Sequence, residues 1–168
     1  RNHALAPELW ATGIHDARNL APMIDDPAQV TRAQMNRWAR DFDSWDICDN
    51  CCNNLFRKTT LAHDAAVAWA GDERAFVRCT GFTLMAVLAV HDRGAPDRQF
   101  LDWLPLIGRH VRGRAQLRQE GGQLGAPADR QAQPGAPQGR GEMRRAAGQA
   151  RLEIGELDRP RCAPRAPR

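Results

Sequence analysis

From Arg74 to His91 the chain carries an almost wholly apolar helical pattern, with Phe76, Val77, Phe82, Leu84, Met85, Val87, Leu88 and Val90 leaving little room for a solvated face. A helix of this kind is stable in water only when other elements cover it, so it should be central and buried. It does not announce a membrane span: no run of about 18 apolar residues occurs anywhere, and no signal-peptide pattern is present. No membrane partner is expected.

Shorter helices surround it in sequence. Ala4, Leu5, Leu9 and Trp10 form a first apolar stripe, closed by Thr12-Gly13. Ile14, Ala17, Arg18, Ala21 and Ile24 form a second, which stops at Asp25-Asp26-Pro27 because a proline disfavours helix just before it. Thr31 caps a third, with Ala33, Met35, Trp38, Ala39 and Phe42 on its buried side. Ser44 to Arg57 is the fourth, and Thr59 or Thr60 caps a fifth that runs through Trp69 to Gly71-Asp72. Arg93-Gly94-Ala95-Pro96 breaks the chain after the apolar sixth helix, and Asp97 to Ile107 is the seventh. Period-two alternation is absent, so no strands are expected. Helices joined by connections this short pack as antiparallel neighbours, and an all-α stack of helical hairpins follows.

Composition divides the chain at about residue 107. All ten aromatic residues lie between Trp10 and Trp103. Up to Ile107 there are eleven Arg or Lys against fourteen Asp or Glu; from Gly108 onward there are thirteen Arg against six acids, with ten of the fourteen Gly and six of the eleven Pro. The net charge of +4 therefore belongs to the tail and does not describe a basic groove on the helical part. Residues 1–107 are read as a helical-repeat domain, and 108–168 as a disordered tail with no stable packing after about Arg112. His3 to Trp10 already resembles the interior of a helical pattern and no Met precedes it, so the domain is expected to be incomplete at its N-terminus.

The chemically informative stretch is Asp41 to Phe56. Trp45, Cys48, Cys52, Leu55 and Phe56 recur at steps of three and four, and Asp49 falls four residues after Trp45, so indole and carboxylate share one face a single turn apart. An Asp inside a helix, beside a Trp and between thiols, is not a propensity choice. A carboxylate next to an aromatic wall can stabilise positive charge developing on a sugar while the ring holds a base or sugar by stacking. The alternative is an Asp at the rim of the core that bonds a neighbouring helix end.

Other residues have structural readings. Cys48, Cys51 and Cys52 include a Cys-x-x-Cys spacing, yet all lie on one helix with no second pair at zinc-ribbon distance, which favours packing thiols over a metal site. Five cysteines without paired spacing between distant segments suggest a reduced, cytoplasmic setting. His15, His63 and His91 are read as satisfied polar residues at helix ends, and Trp10, Trp38, Trp69 and Trp103 as core.

Ile14 to Ile107 resembles the DNA alkylation repair family, the HEAT-like-repeat glycosylases of the AlkD type. The resemblance lies in His15-Asp16-Ala17-Arg18 with Met23-Ile24-Asp25-Asp26-Pro27, in Phe42-Asp43-Ser44-Trp45-Asp46-Ile47-Cys48-Asp49, in Ala89-Val90-His91-Asp92 and in Leu104-Pro105-Leu106-Ile107. The Ser-Trp-Asp-x-x-Asp core is its specific part. The resemblance implies a HEAT-like α-solenoid whose concave face cradles duplex DNA with alkylated bases, acting as a monomer and releasing N3- or N7-alkylated purines without a metal or organic cofactor. It implies that Trp45 and Asp49 contact the deoxyribose of the damaged nucleotide. A cationic base is already a good leaving group, so one carboxylate can suffice without a general acid. On a domain with more acids than bases, phosphate contacts should fall to local cations, for which Arg37, Arg40, Arg57, Lys58 and Arg78 are the candidates.

Two family features are missing. Cys79 stands where the family carries a phosphate-contacting basic residue, with Arg78 and Arg74 as substitutes, and no Trp follows Trp103 to supply a second DNA-facing indole. The tail suggests why. Its Arg, Gly, Ala, Gln and Pro are what a GC-rich gene yields out of frame, and Ala115 to Pro134 admits a codon choice that, shifted by one nucleotide, encodes a helix containing Asn-Trp-Ala-Leu-Arg. A frameshift between about Gly108 and Ala115 is therefore expected, the alternative being a genuine basic tail that binds nucleic acid nonspecifically.

Overall fold

A computed structural model of the chain describes residues 1–110, 140–147 and 149. Its α-helices are α1 (Leu5–Ala11), α2 (His15–Ile24), α3 (Arg32–Asp41), α4 (Trp45–Asn54), α5 (Ala62–Ala70), α6 (Ala75–His91) and α7 (Asp97–Leu101), with a 3₁₀ turn at Phe56–Lys58. Residues 104–110 and 140–147 are also helical, and no strand occurs among the described residues. None of the described helices is long and apolar enough to cross a membrane.

The helices form two layers. α2 packs on α4 and α4 on α6, while α1 lies against α2 and α5 against α6. In the second layer Trp10 of α1 stacks on Trp38 of α3, with ring centroids 4.1 Å apart, and the Trp69 indole N–H of α5 donates to Asn36 of α3 at 2.9 Å. Because each short turn carries the chain from one layer to the other, helices within a layer point the same way. The result is the HEAT-like stack of antiparallel hairpins expected from the sequence. Trp10, Trp38, Trp69 and Trp103 are all buried.

α6 is the centre of this stack, with Val77, Phe82, Leu84, Met85 and Leu88 all buried. Its closest neighbour is α5. A β-carbon placed on Gly81 would lie 2.8 Å from the Trp69 carbonyl carbon, 2.9 Å from the Ala66 carbonyl oxygen and closer still to the Ala70 nitrogen, so the α5 backbone rests directly on this glycine. The alanine-rich face of α5, with Ala62, Ala65, Ala66 and Ala70 buried, makes that approach possible.

Several local expectations are corrected. Thr31 caps α3 as expected, accepting from the Gln34 amide at 3.2 Å. Ser44 stands at the N-cap of α4, but its hydroxyl turns to Asp46 at 2.5 Å and not to the amides of the first turn; Thr59 does not cap, its hydroxyl donating to the Phe56 carbonyl at 2.8 Å and leaving Leu61 to open α5. The seventh helix is split, because Pro105 has no N–H to continue the ladder through Asp102 and Trp103. Ile14 is exposed because it is the extended N-cap of α2, not part of its stripe. Ala33 is exposed and Gln34 buried in its place, its amide donating to the buried Asp25 at 2.6 Å.

Packing past Arg112, expected to be absent, is present in residues 140–147. Met143 and Ala147, one helical turn apart, are buried in the core. Arg140 fixes the segment by donating to Asp97 at 2.7 Å and to the Ala95 carbonyl, with its guanidinium 4.8 Å from the Phe100 ring centre. The remainder of the expected disordered tail, and the proposed frame change between Gly108 and Ala115 beyond residue 110, lie outside the described residues.

Gly81→Ala should force α5 off α6 and lower stability by about 1–3 kcal/mol, several degrees in melting temperature. Gly71→Ala, whose added methyl meets nothing closer than 3.9 Å, should change it by less than about 0.5 kcal/mol. Thermal melts followed by circular dichroism distinguish the two. Equal melting temperatures would mean that the helices do not meet at Gly81.

Candidate nucleic-acid interface

α4 is held on three sides. Ile47 and Cys51 are buried toward the second layer, while Cys48 Sγ lies 3.3 Å from the Thr80 hydroxyl of α6. Trp45 is half-buried, its ring centre 4.7 Å from that of Phe76 at the start of α6. On the opposite flank Asp46 and Asn50 meet α2. At 100° per residue, the direction left open is centred on Asp49, with Trp45 and Asn53 one turn to either side. Asp49 is half-buried, and its Oδ1 is out of contact with solvent. The sequence pairing of Trp45 with Asp49 on one helix face is thus present, between the flanks that meet α2 and α6.

The α2 flank is a polar seam that the sequence did not disclose. Asp46 Oδ2 accepts from His15 Nε2 at 2.6 Å and from Asn19 Nδ2 at 3.1 Å. Asn50 Nδ2 donates to the Asn19 carbonyl at 2.6 Å, and Asn54 Nδ2 donates to Asn50 Oδ1 at 2.5 Å. Burial pulls the Asp46 pKa upward, but the bonds from Ser44, Asn19 and His15 outweigh it and hold the carboxyl at about 2. Asp46 is therefore an ionised clamp between α2 and α4. A run of Asn on α4 was the available clue, yet the α2 partners of Asp46 and Asn50 sit 27 to 31 residues earlier in the chain.

The candidate cations do not form one group. Arg37 and Arg40 are exposed on α3, in the layer behind α4. Arg57 and Lys58 follow α4 in the 3₁₀ turn, with Arg57 Nε donating to the Asn53 carbonyl at 2.6 Å. Arg78 is turned back on the α5–α6 connection, donating to the Asp72 and Glu73 carbonyls at 2.7 and 2.9 Å. Arg74, its suggested substitute, pairs with Asp72 through two bonds of 2.7 and 2.8 Å. Cys79 is fully buried. Neither arginine presents its guanidinium as a simple free replacement for a phosphate ligand.

Cys48, Cys51, Cys52 and Cys79 are buried thiols. Burial, followed by the proximity of Cys48, pushes the Cys51 and Cys52 pKa values well up, as suits neutral packing groups. His15 and His63 are satisfied by Asp46 and Asp92, at 2.6 and 2.7 Å.

A protein-family model described as DNA alkylation repair enzyme matches residues 1–121. No curated protein matches. One solved structure, from a family described as related to the HEAT-like repeat DNA glycosylases with affinity for branched DNA structures, aligns with a TM-score of 0.48 and 16% identity, over 93% of this chain and 75% of that one.

The Asp46 clamp makes a pH-dependent contribution. With the carboxyl held at about 2, below its ordinary 3.8, the contribution is present above about pH 4 and disappears as pH falls through 2. The side chain is 56% exposed, so screening keeps the effect below about 1 kcal/mol. Asp46→Asn should melt below the wild type at pH 7, with the gap closing toward pH 2. A gap unchanged over that range would show that the clamp does not depend on its charge.

Proposed function

The chain belongs to the DNA alkylation repair enzyme family, whose model covers residues 1–121 of 168, and on that premise we propose that its α2–α4–α6 face binds duplex DNA at an alkylated base. The finer proposal is that Trp45 and Asp49 serve the release of N3- or N7-alkylated purines by hydrolysis of the N-glycosidic bond. The observation that supports it is their shared position on the outward face of α4, one turn apart, with Asp49 half-buried. Partial burial strengthens a carboxylate's interaction with a cation, because less water screens it.

In this mechanism the alkylated purine carries positive charge and leaves as a neutral base with the electrons of the bond to the sugar. Positive charge moves to the deoxyribose, where Asp49 stabilises it and Trp45 forms a flat wall. Water then adds at the anomeric carbon and loses a proton. Asp49 acts mainly on the transition state, so it affects rate more than affinity.

Binding without excision is the second reading, favoured by one observation: no Trp follows Trp103, so the second DNA-facing indole of the family has no counterpart. The chain as it stands is accordingly expected to bind alkylated duplex and release no base.

A chain in which the Asn-Trp-Ala-Leu-Arg helix is restored should release 7-methylguanine from duplex DNA in single-turnover assays. Asp49→Asn in that chain should be slower by about a hundredfold, or ~3 kcal/mol, with little change in affinity, because phosphate contacts dominate binding. Asp46→Asn should matter less. Equal rates for Asp49→Asn and its parent would remove the catalytic role, and no release by any form would leave the binding reading.

A further inference from the structure

Residues 140–147 belong by composition to the basic part of the chain, yet they pack as a piece of the core. The segment is a helix of eight residues, and so short a helix does not hold together alone in water. Its shape depends on the surface beneath it. Met143 and Ala147 are buried, with Ala146 partly buried beside them, whereas Gly141, Arg144 and Arg145 are exposed. At the first residue Arg140 meets four groups of the α6–α7 region. It donates to the Asp97 carboxylate at 2.7 Å and to the Asp92 and Ala95 carbonyls, and its guanidinium lies 4.8 Å from the Phe100 ring centre.

The surface complements this helix at both ends. Asp92 is the C-cap of α6, so its carbonyl lies at the negative end of that helix and suits a cation, and Asp97 adds a full charge. Beyond Arg140 the fit is apolar, through Met143 and Ala147. The helices of the stack are joined by short turns that fix which neighbour each one meets. Residues 140–147 are instead joined to the stack by residues 111–139, a length of chain that spans at most about 100 Å. A second copy carries the same helix and the same surface, so exchanging segments keeps every contact and changes only the connection. Tethering to its own site gives the segment an effective concentration of about a millimolar, which favours the closed single chain in dilute solution.

We infer that the surface made by the α6–α7 connection and Phe100 is a docking site for a second copy of this chain, which enters it with its own residues 140–147. In a single molecule that molecule's segment fills the site; in a pair the segments are crossed. Arg140 and Asp97 are the two sides of the contact that decide the pairing. This docking requires no DNA.

Two full-length variants separate the halves of the contact. Arg140→Gln/Met143→Asp disables the helix and leaves its site vacant and intact. Asp97→Arg keeps the helix and places a repelling charge in the site, at a side chain that is 62% exposed and so tolerant of replacement. Sedimentation velocity should show each variant alone as a monomer and their equimolar mixture, at up to about 1 mM, as a 1:1 complex, because only the mixture holds a working helix and a working site. A protein carrying all three substitutions should form no complex with Asp97→Arg. Circular dichroism checks folding, and Arg140→Gln with Asp97→Asn, which keep the apolar contacts, replace the pair if either variant has lost its helices. A mixture that stays monomeric throughout would overturn the docking site. So would association of either variant by itself, or a complex formed by the triply substituted protein, since both would run through another surface.

Discussion

A helix that is apolar on nearly every side must be covered on nearly every side, and the covering of α6 determines where everything else can go. Gly81 lets the α5 backbone come into direct contact, closing one flank with alanines. α4 closes another through Cys48 and Cys52, which face Thr80. Once α4 is fixed to α6 on one side and buried toward the second layer on another, its remaining outward direction is no longer a choice. Asp49 occupies that direction because of packing elsewhere.

The contact between α2 and α4 has a different character. It is a chain of bonds through His15, Asp46, Asn19, Asn50 and Asn54, in place of an apolar seam. A polar seam specifies register, because a shift along the helix leaves donors and acceptors unmatched. The two acids of Ser-Trp-Asp-x-x-Asp are consequently unlike. Asp46 is tied to α2 and ionised far below neutral pH, whereas Asp49, three residues on, lies at the centre of the open face. Their similar appearance in the sequence hides a division between holding the helix and lying on its open face.

What was legible in the sequence was whatever depends on local periodicity. The helices, the central place of α6, the burial of four tryptophans and the cap at Thr31 all follow from spacing along one element. The failures occur where a side chain had two short-range options or a distant partner. The Ser44 and Thr59 hydroxyls donate to nearby oxygens instead of accepting from the amides of the following turns. Arg78 folded back on two carbonyls although its position suggested an outward cation. Residues 140–147 could not be found from average tail composition, because a short Met143 and Ala147 pair needs a waiting apolar surface and an anchor such as Arg140 to matter.

Charge shows the same separation between local and global properties. The first 107 residues hold three more acids than bases, which taken alone argues against a polyanion partner. Many of those acids are already engaged: Asp25 with His3 and Gln34, Asp41 with the Trp10 indole, Asp46 with His15, Asp72 with Arg74, Asp92 with His63 and Asp97 with Arg140. Several of these partners are neutral amide or indole donors, so such bonds hold the carboxylates in place without cancelling their charge. What they do is fix the negative charge at the α2–α4 seam, the α5–α6 connection and the α6–α7 connection. The turn after α4 and the residues just past α6 carry Arg57, Lys58 and Arg93 instead. Net charge governs the field at long range, but within a Debye length of about 8–10 Å the local arrangement dominates.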